Sequence, residues 1–359
     1  MAKRWTVAVI GCGIGRSHIE EGYARLPEQF EVRALCDLNE ERLAAVANEF
    51  AIPRRTTSFD QVLAMADIDI VDIATPPGLH FPQATAALAA GKQVVCEKPL
   101  VGSLAEVDAL AAAEASATGR LMPIFQYRYG DGLQKARRIV DLGLAGKPYL
   151  ATVETAWQRG AKYYSVPWRG RWETELGGAL LTHAIHAHDM LTYLMGDIAS
   201  VFARTATRIN SIEVEDCAVA SLQMASGALA SLSVTLGSAK EISRLRLCFE
   251  HVTFESSLAP YAPGDDPWQI IPTSPEAAVR ITAALEGWSH VPSRFQGLMA
   301  AYHHALETGA PLPVTLADAR RSLELITALY HSAETSDAVR LPIPADHPKY
   351  RSWRPFGRP

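Results

Sequence analysis

The sequence predicts an α/β protein in two parts: a doubly wound parallel sheet with helices on both faces, followed by a domain built on an antiparallel or mixed sheet. Three observations carry this. From residue 6 to about 125, short apolar runs alternate with helical patterns. The first run leads directly into glycines at positions 11, 13 and 15. Beyond residue 148, strand-like segments follow one another with few helices between them.

The first part divides readily. Residues 6–10 form an apolar run typical of a strand buried on both faces. Further strands are predicted at 31–36, 68–74, 93–96 and 121–125, with helices at 16–26, 39–50, 59–65, 79–90 and 104–118. The second part opens with an alternating strand at 148–159. A loop at 157–172 follows, holding three tryptophans, two tyrosines, three arginines and a lysine. A helix is predicted over 177–196, opened by glycines and closed by Gly196. Strands follow at 201–207, 218–225, 229–236 and 244–255, then helices at 293–308 and 316–336. The domains are therefore expected at 1–125 and 126–340, with a proline- and aromatic-rich tail at 341–359.

Composition narrows the function. A length of 359 residues suits two domains, and 48% apolar with 20% charged residues is ordinary for a globular chain. A net charge of −5 gives no electrostatic case for nucleic acid or an anionic membrane. No run is long and apolar enough to span a bilayer, and the early first strand leaves no room for a signal peptide. The five cysteines are scattered and odd in number, as expected of buried thiols in a reducing cytoplasm.

Strand, glycine turn and helix in that order place backbone N–H groups against a pyrophosphate. The loop Gly11, Cys12, Gly13, Ile14, Gly15 is thus the predicted dinucleotide site, with its third glycine one residue earlier than the usual G-x-G-x-x-G spacing. Asp37, at the end of the second strand, is placed to accept hydrogen bonds from a ribose. A carboxylate there would repel a 2′-phosphate, so NAD is expected over NADP. Asp37 could alternatively cap the helix that follows. Ligands of such sheets bind beyond the strand ends, which draws in Thr75, Pro76 and His80 after the third strand, and Glu97 and Lys98 after the fourth. Lys98, stiffened by Pro99, could hold a substrate hydroxyl and stabilise a developing alkoxide. On the predicted helix 177–196, Thr182 and His186 are four apart and share a face, and Asp189 lies near the same stripe. Histidine is the usual general base near neutrality. His183 and His188 crowd the segment, but these side chains do not converge on one face, so no metal is expected. In the loop, Trp168 and Arg169 suit a sugar, whose C–H faces stack on aromatic rings while its hydroxyls bond arginine.

The succession of glycine loop, Thr75-Pro76-Pro77 with His80, Glu97-Lys98-Pro99, and Gly177-Gly178 leading to His186 and Asp189 resembles the Gfo/Idh/MocA oxidoreductase family over nearly the whole chain. The resemblance implies a Rossmann domain followed by an α/β domain with an open, mostly antiparallel sheet. It implies a nicotinamide cofactor, a sugar or polyol substrate, and Lys98 and His186 as the catalytic pair. It puts Thr182 where many members carry aspartate, and it brings Tyr127, Arg128 and His183 toward the substrate. The expected protein is an NAD-dependent sugar or polyol dehydrogenase, a homodimer or homotetramer. The alternatives are an NAD-binding sensor, or an enzyme that recycles a tightly held NAD within one turnover.

Overall fold

The computed structural model describes residues 3–355, which fall into two compact units. The first comprises residues up to Phe125 together with Phe295–Arg320. Its strands are β1 (Trp5–Ile10), β2 (Phe30–Cys36), β3 (Arg54–Thr56), β4 (Ile70–Ile73), β5 (Gln93–Cys96) and β6 (Leu121–Pro123). All pair in parallel in the order β3-β2-β1-β4-β5-β6. Central β1 is buried from Thr6 to Ile10, as its apolar sequence requires. The helices are α1 (Gly15–Glu21), α2 (Glu40–Glu49), α3 (Phe59–Leu63), α4 (His80–Ala89) and α5 (Leu104–Ser116). Asn39 caps α2 by accepting the Arg42 N–H, and Ser103 caps α5 through Glu106 N–H.

Register decides what this sheet presents. Ile10 pairs with both Cys36 and Ile73, and Ile73 pairs with Cys96. The four strands end side by side, so Gly11, Asp37, Ala74 and Glu97 emerge in one row at the carboxyl edge. The strand order reverses between β2-β1 and β1-β4, the position where such folds bind ligands.

The second unit holds α6 (Asp131–Asp141), β7 (Pro148–Gln158), α7 (Ala161–Tyr164), α8 (Ala179–Thr182), α9 (Ile185–Met195), β8 (Ile198–Ala206), β9 (Cys217–Met224), β10 (Leu229–Thr235), β11 (Gly237–Phe249), β12 (Val252–Glu255), β13 (Gln269–Pro272) and α10 (Pro275–Leu285). α11 (Arg294–Thr308) lies almost wholly in the first unit, α12 (Leu316–Thr335) begins there and ends in the second, and β14 (Val339–Arg340) completes the second sheet. That sheet runs β13-β12-β11-β7-β10-β9-β8-β14 and is antiparallel except between β7 and β10. α9 packs on β7 and β11, and α8 on β9 and β10. Strand β10 shows the resulting alternation: Ala230, Leu232 and Val234 are buried, whereas Leu229, Ser231 and Ser233 are exposed. Leu222 also points inward, and Val219 is 56% exposed on the other face.

Two expectations change. Residues 126–340 do not form one block, because Phe295–Arg320 packs with the first unit. There the Phe295 ring lies 4.7 Å from that of His18, the Trp5 indole N–H donates to Glu307 at 2.9 Å, and Arg120 donates to the carbonyls of Ala305 and Ala310. The helix predicted over 177–196 is broken after Thr182, so α8 and α9 are separate. The tail at 341–359 is described as far as 355, with Trp353 buried and donating to the Leu176 carbonyl at 2.7 Å; residues 356–359 lie outside the described residues.

Candidate functional site

In the first unit, the glycine loop is shaped by close approach. Gly11 has φ +93°, and a Cβ there would lie 2.5 Å from the Ala74 carbonyl oxygen. At Gly15 a Cβ would meet Val9 Cγ1 at 2.7 Å, so this glycine lets α1 rest on β1 despite its early position. Gly13 is open, with nothing within 4 Å of a Cβ, and Ile14 is exposed. The loop therefore offers bare backbone on its outer side, as a pyrophosphate needs. The Asp37 carboxylate accepts the N–H groups of Cys12 and Asn39, both at 2.8 Å, and the Arg42 guanidinium fork at 3.0 Å on each oxygen. Burial would raise its pKa, but these donors hold it below the ordinary value. Arg42 itself is about half exposed at 51%, the one of these partners that can swing away.

The neighbouring strand ends differ from expectation. Pro76 is exposed, and the Thr75 hydroxyl donates to Gln83 at 2.6 Å. His80 is fully buried and is not presented to a cofactor. Its ring bridges the carbonyls of Thr75 and Pro99, each at 2.8 Å, tying two strand ends together, and burial lowers its pKa. Glu97 also faces inward. One oxygen meets His18 Nε2 at 3.0 Å, and the other accepts the Lys98 N–H at 2.9 Å. His18 Nδ1 faces Asp72 at 3.0 Å, so a buried imidazole lies between two carboxylates. Burial alone would discharge it, but Asp72 and Glu97 outweigh burial and push its pKa up to about 10. Lys98 itself is half-buried at the edge, and its bond to Pro99 is cis.

In the second unit, the Thr182 hydroxyl donates to the Gly178 carbonyl at 2.8 Å and contacts His183 Nδ1 at 2.7 Å. With its single proton committed to the carbonyl, the hydroxyl accepts from Nδ1–H and fixes the His183 tautomer. The helix break thus gives Thr182 to His183, where an unbroken helix would have stacked it on His186. His186 is buried in α9, its ring stacked on Tyr127 with centroids 4.3 Å apart. The Asp189 carboxylate receives the Arg128 guanidinium fork at 2.7 and 2.6 Å. Arg128, expected at the substrate, is 3% exposed and also lies over the Tyr193 ring. His188 is buried, and desolvation pushes its pKa down to about 3.

Glu215 is the residue in this region that sequence reasoning did not single out. Its carboxylate accepts N–H groups from Gly178 at 3.2 Å and Leu180 at 2.9 Å, and the Tyr330 hydroxyl at 3.0 Å. Burial pushes its pKa up to about 7 against those donors. A Cβ at Gly178 would lie 2.0 Å from the Glu215 carbonyl oxygen, which explains the glycine before α8. In the aromatic loop, Arg169 lies over the rings of Tyr163 and Trp168, bonds the Tyr163 hydroxyl and pairs with Glu175 at 3.5 Å. The His183 ring packs against Trp157 and Tyr163. The loop therefore supplies the stacking faces expected of a sugar site, with its arginine already balanced by a carboxylate. Among the described residues, no three or more His, Cys, Asp or Glu side chains are grouped to hold a metal.

A six-stranded parallel sheet with a bare glycine loop at its switch point defines a dinucleotide-binding domain. Residues 5–125 match the oxidoreductase family with an NAD-binding Rossmann fold, and residues 133–255 match the GFO/IDH/MocA C-terminal domain. The chain belongs to the Gfo/Idh/MocA oxidoreductase family, and its first unit is an NAD-binding domain. The WlbA dehydrogenase of Bordetella pertussis, solved with NADH and UDP-GlcNAcA, is 28% identical with a TM-score of 0.82, covering 95% of this chain and 100% of that one. D-apiose dehydrogenase of Paraburkholderia graminis is 31% identical over 63% of this chain and 59% of its own. Levoglucosan dehydrogenase of Pseudarthrobacter phenanthrenivorans is 32% identical over 56% of this chain and 54% of its own. The chain thus spans little more than half the length of these two curated relatives.

Proposed function

We propose that the protein is an NAD-dependent dehydrogenase that oxidises a hydroxyl of a monosaccharide or related polyol, with Lys98 and His186 at the reacting oxygen. The observation that carries this is the position of Lys98: half-buried, at the carboxyl edge of the sheet, in the row that also holds the glycine loop and Asp37. Relatives that include D-apiose and levoglucosan dehydrogenases support the substrate class.

The glycine loop and Asp37 hold the cofactor, with Arg42 moving off Asp37 to admit the ribose hydroxyls. Bound NAD supplies the acceptor for the hydride that leaves the substrate carbon. The His186 imidazole takes the proton from the substrate hydroxyl, its ring plane set by Tyr127. The Lys98 ammonium donates to the same oxygen and stabilises its negative charge as the proton departs. Thr182, through His183, and the rings of Trp168 and Tyr163 orient the sugar, and Arg169 adds a hydrogen-bond donor. A second copy of the chain covers the outer face of the second sheet, where Phe202, Val219 and Leu229 are exposed, giving a dimer or tetramer of a cytoplasmic enzyme. Light scattering at micromolar concentration tests this last point, and a monomer would remove it.

The main test is a screen of aldoses, uronates and inositols with NAD and with NADP, followed as NADH or NADPH formation. Turnover with NAD on one class is expected. NAD binding without turnover on any of them would favour the sensor reading, which draws on Thr182 in place of a charged residue. NAD that copurifies, with no bulk NADH formed, would favour an enzyme that recycles its cofactor.

A further inference from the structure

The buried network behind Lys98 has no part in the chemistry proposed above. Its components come from three separate elements of the first unit. His18 is on α1, which begins where the glycine loop ends; Asp72 is in β4; Glu97 is the residue after β5. His18 and Asp72 have no solvent exposure, and Glu97 is 5% exposed. The site is closed by the Phe295 ring from α11, and Tyr23, Tyr302, Cys96 and His80 are further ionisable groups near its carboxylates. A lone buried histidine would be neutral, and a lone buried carboxylate would protonate. Together they form one cation between two anions, an arrangement with strict geometry because each member is satisfied only in place.

We infer that His18 is a positioning residue: by bridging Asp72 and Glu97 it fixes the carboxylate that accepts the Lys98 N–H, and so sets the direction in which Lys98 leaves the strand. The inference rests on the reading of Lys98 as a group that touches substrate. One Glu97 oxygen bonds His18 Nε2 and the other accepts the Lys98 N–H. Without the imidazolium, the first oxygen loses its counter-charge and the bond that holds it toward α1, which favours protonation or rotation of the side chain. Either response weakens the second bond. Because α1 follows the glycine loop directly, the same contact ties the cofactor loop to the strand end that carries Lys98.

The test is backbone amide exchange in the full chain with NAD present, compared among wild type, His18→Gln, Glu97→Ala and Glu97→Gln. Pro99 has no N–H, so the Lys98 amide has no exchanging neighbour on its C-terminal side. The Glu97 amide, bonded to the Ile73 carbonyl at 2.9 Å, serves as an internal control for the sheet. Exchange at Lys98 should quicken about tenfold in His18→Gln and in Glu97→Ala, the scale of one lost hydrogen bond, while residue 97 and β5 change less than about twofold. Glu97→Ala leaves His18 paired with Asp72, so it keeps the test alive if His18→Gln does not fold. Glu97→Gln can still accept from Lys98 N–H, and should recover most of the protection lost in Glu97→Ala. With a sugar identified by the screen, kcat of His18→Gln should fall about tenfold, with KM and NAD affinity within about twofold. Unchanged Lys98 exchange in both variants overturns the inference, as does exchange that quickens equally along β5, which would mark a structural role only. If no sugar turns over in the wild type, the dehydrogenase reading falls, while the exchange measurements still decide whether this network holds Lys98.

Discussion

Each unit places a buried ionisable group beside its candidate reacting residues, and the two are held in opposite ways. In the first, His18 meets two carboxylates and stays charged. In the second, Glu215 meets only neutral donors, two backbone N–H groups and a phenol, and burial draws it toward the protonated form. Full counter-charges overcome desolvation, whereas dipoles offset only part of it. The first arrangement fixes a charge; the second leaves one poised near neutrality.

The largest expected effect tests whether both units contribute to one reaction. Lys98→Met and His186→Ala should each lower kcat/KM about 10²–10⁴-fold with NAD affinity nearly intact by calorimetry. The double mutant should show less than the product of the two, because both groups act on one proton transfer. Near-wild-type turnover in either single mutant would leave only one unit with chemistry.

The next effect concerns stability. Glu215→Leu strips acceptors from two backbone N–H groups and a hydroxyl, and should cost about 3 kcal/mol in urea unfolding, whereas Glu215→Gln should cost about 1. Equal costs would mean that charge, not acceptor geometry, holds the start of α8.

A pH series sharpens the comparison further. Both groups have folded pKa values raised above their ordinary ones, so both contribute stability at low pH and lose it as pH rises. For Glu215 the loss falls between about 4.5 and about 7, and for His18 between about 6.5 and about 10. Glu215→Gln should flatten the stability profile in the lower window, and His18→Gln in the upper one. Unfolding midpoints measured from pH 5 to 10 check both.

The smallest effects are about tenfold each. Thr182→Ala should lower kcat by that factor, as one hydrogen bond to His183 is lost. Asp37→Ala should narrow the preference for NAD over NADP by a similar factor, by weakening NAD. A wild type that prefers NADP would overturn the role given to Asp37.

The parallel sheet was legible because each strand is an apolar run with its own turn signal, and the residues after Ile10, Cys36, Ile73 and Cys96 could be read as one edge. The three-residue β3, Arg54–Thr56, could not, because it has polar side chains and lies at the margin of the sheet. Lys98, the glycine loop and Asp37 were singled out from position. The bonds made by the buried polar side chains could not be read in the same way, because the partners are remote: Arg128 and Asp189 are 61 residues apart, and His18 and Glu97 are 79 apart. A histidine three residues past Gly15 was the available signal for His18, and helical periodicity alone says only that it faces inward. The break between α8 and α9 has no such local signal, and the start of α8 is held by Glu215 and Tyr330, both remote in sequence. Tertiary contacts of that kind override a continuous local pattern.

The return of residues 295–320 to the first unit has a consequence for how the protein is made. On the ribosome, the glycine loop and all of the parallel sheet emerge within the first 125 residues. Their covering helix, with Phe295 against His18 and Glu307 against Trp5, is synthesised some 170 residues later. At a typical ~5–20 residues per second, the nascent sheet waits on the order of ten seconds or more with that side uncovered. The cofactor domain is the first to begin folding and among the last to be completed, and the second unit is synthesised in the interval.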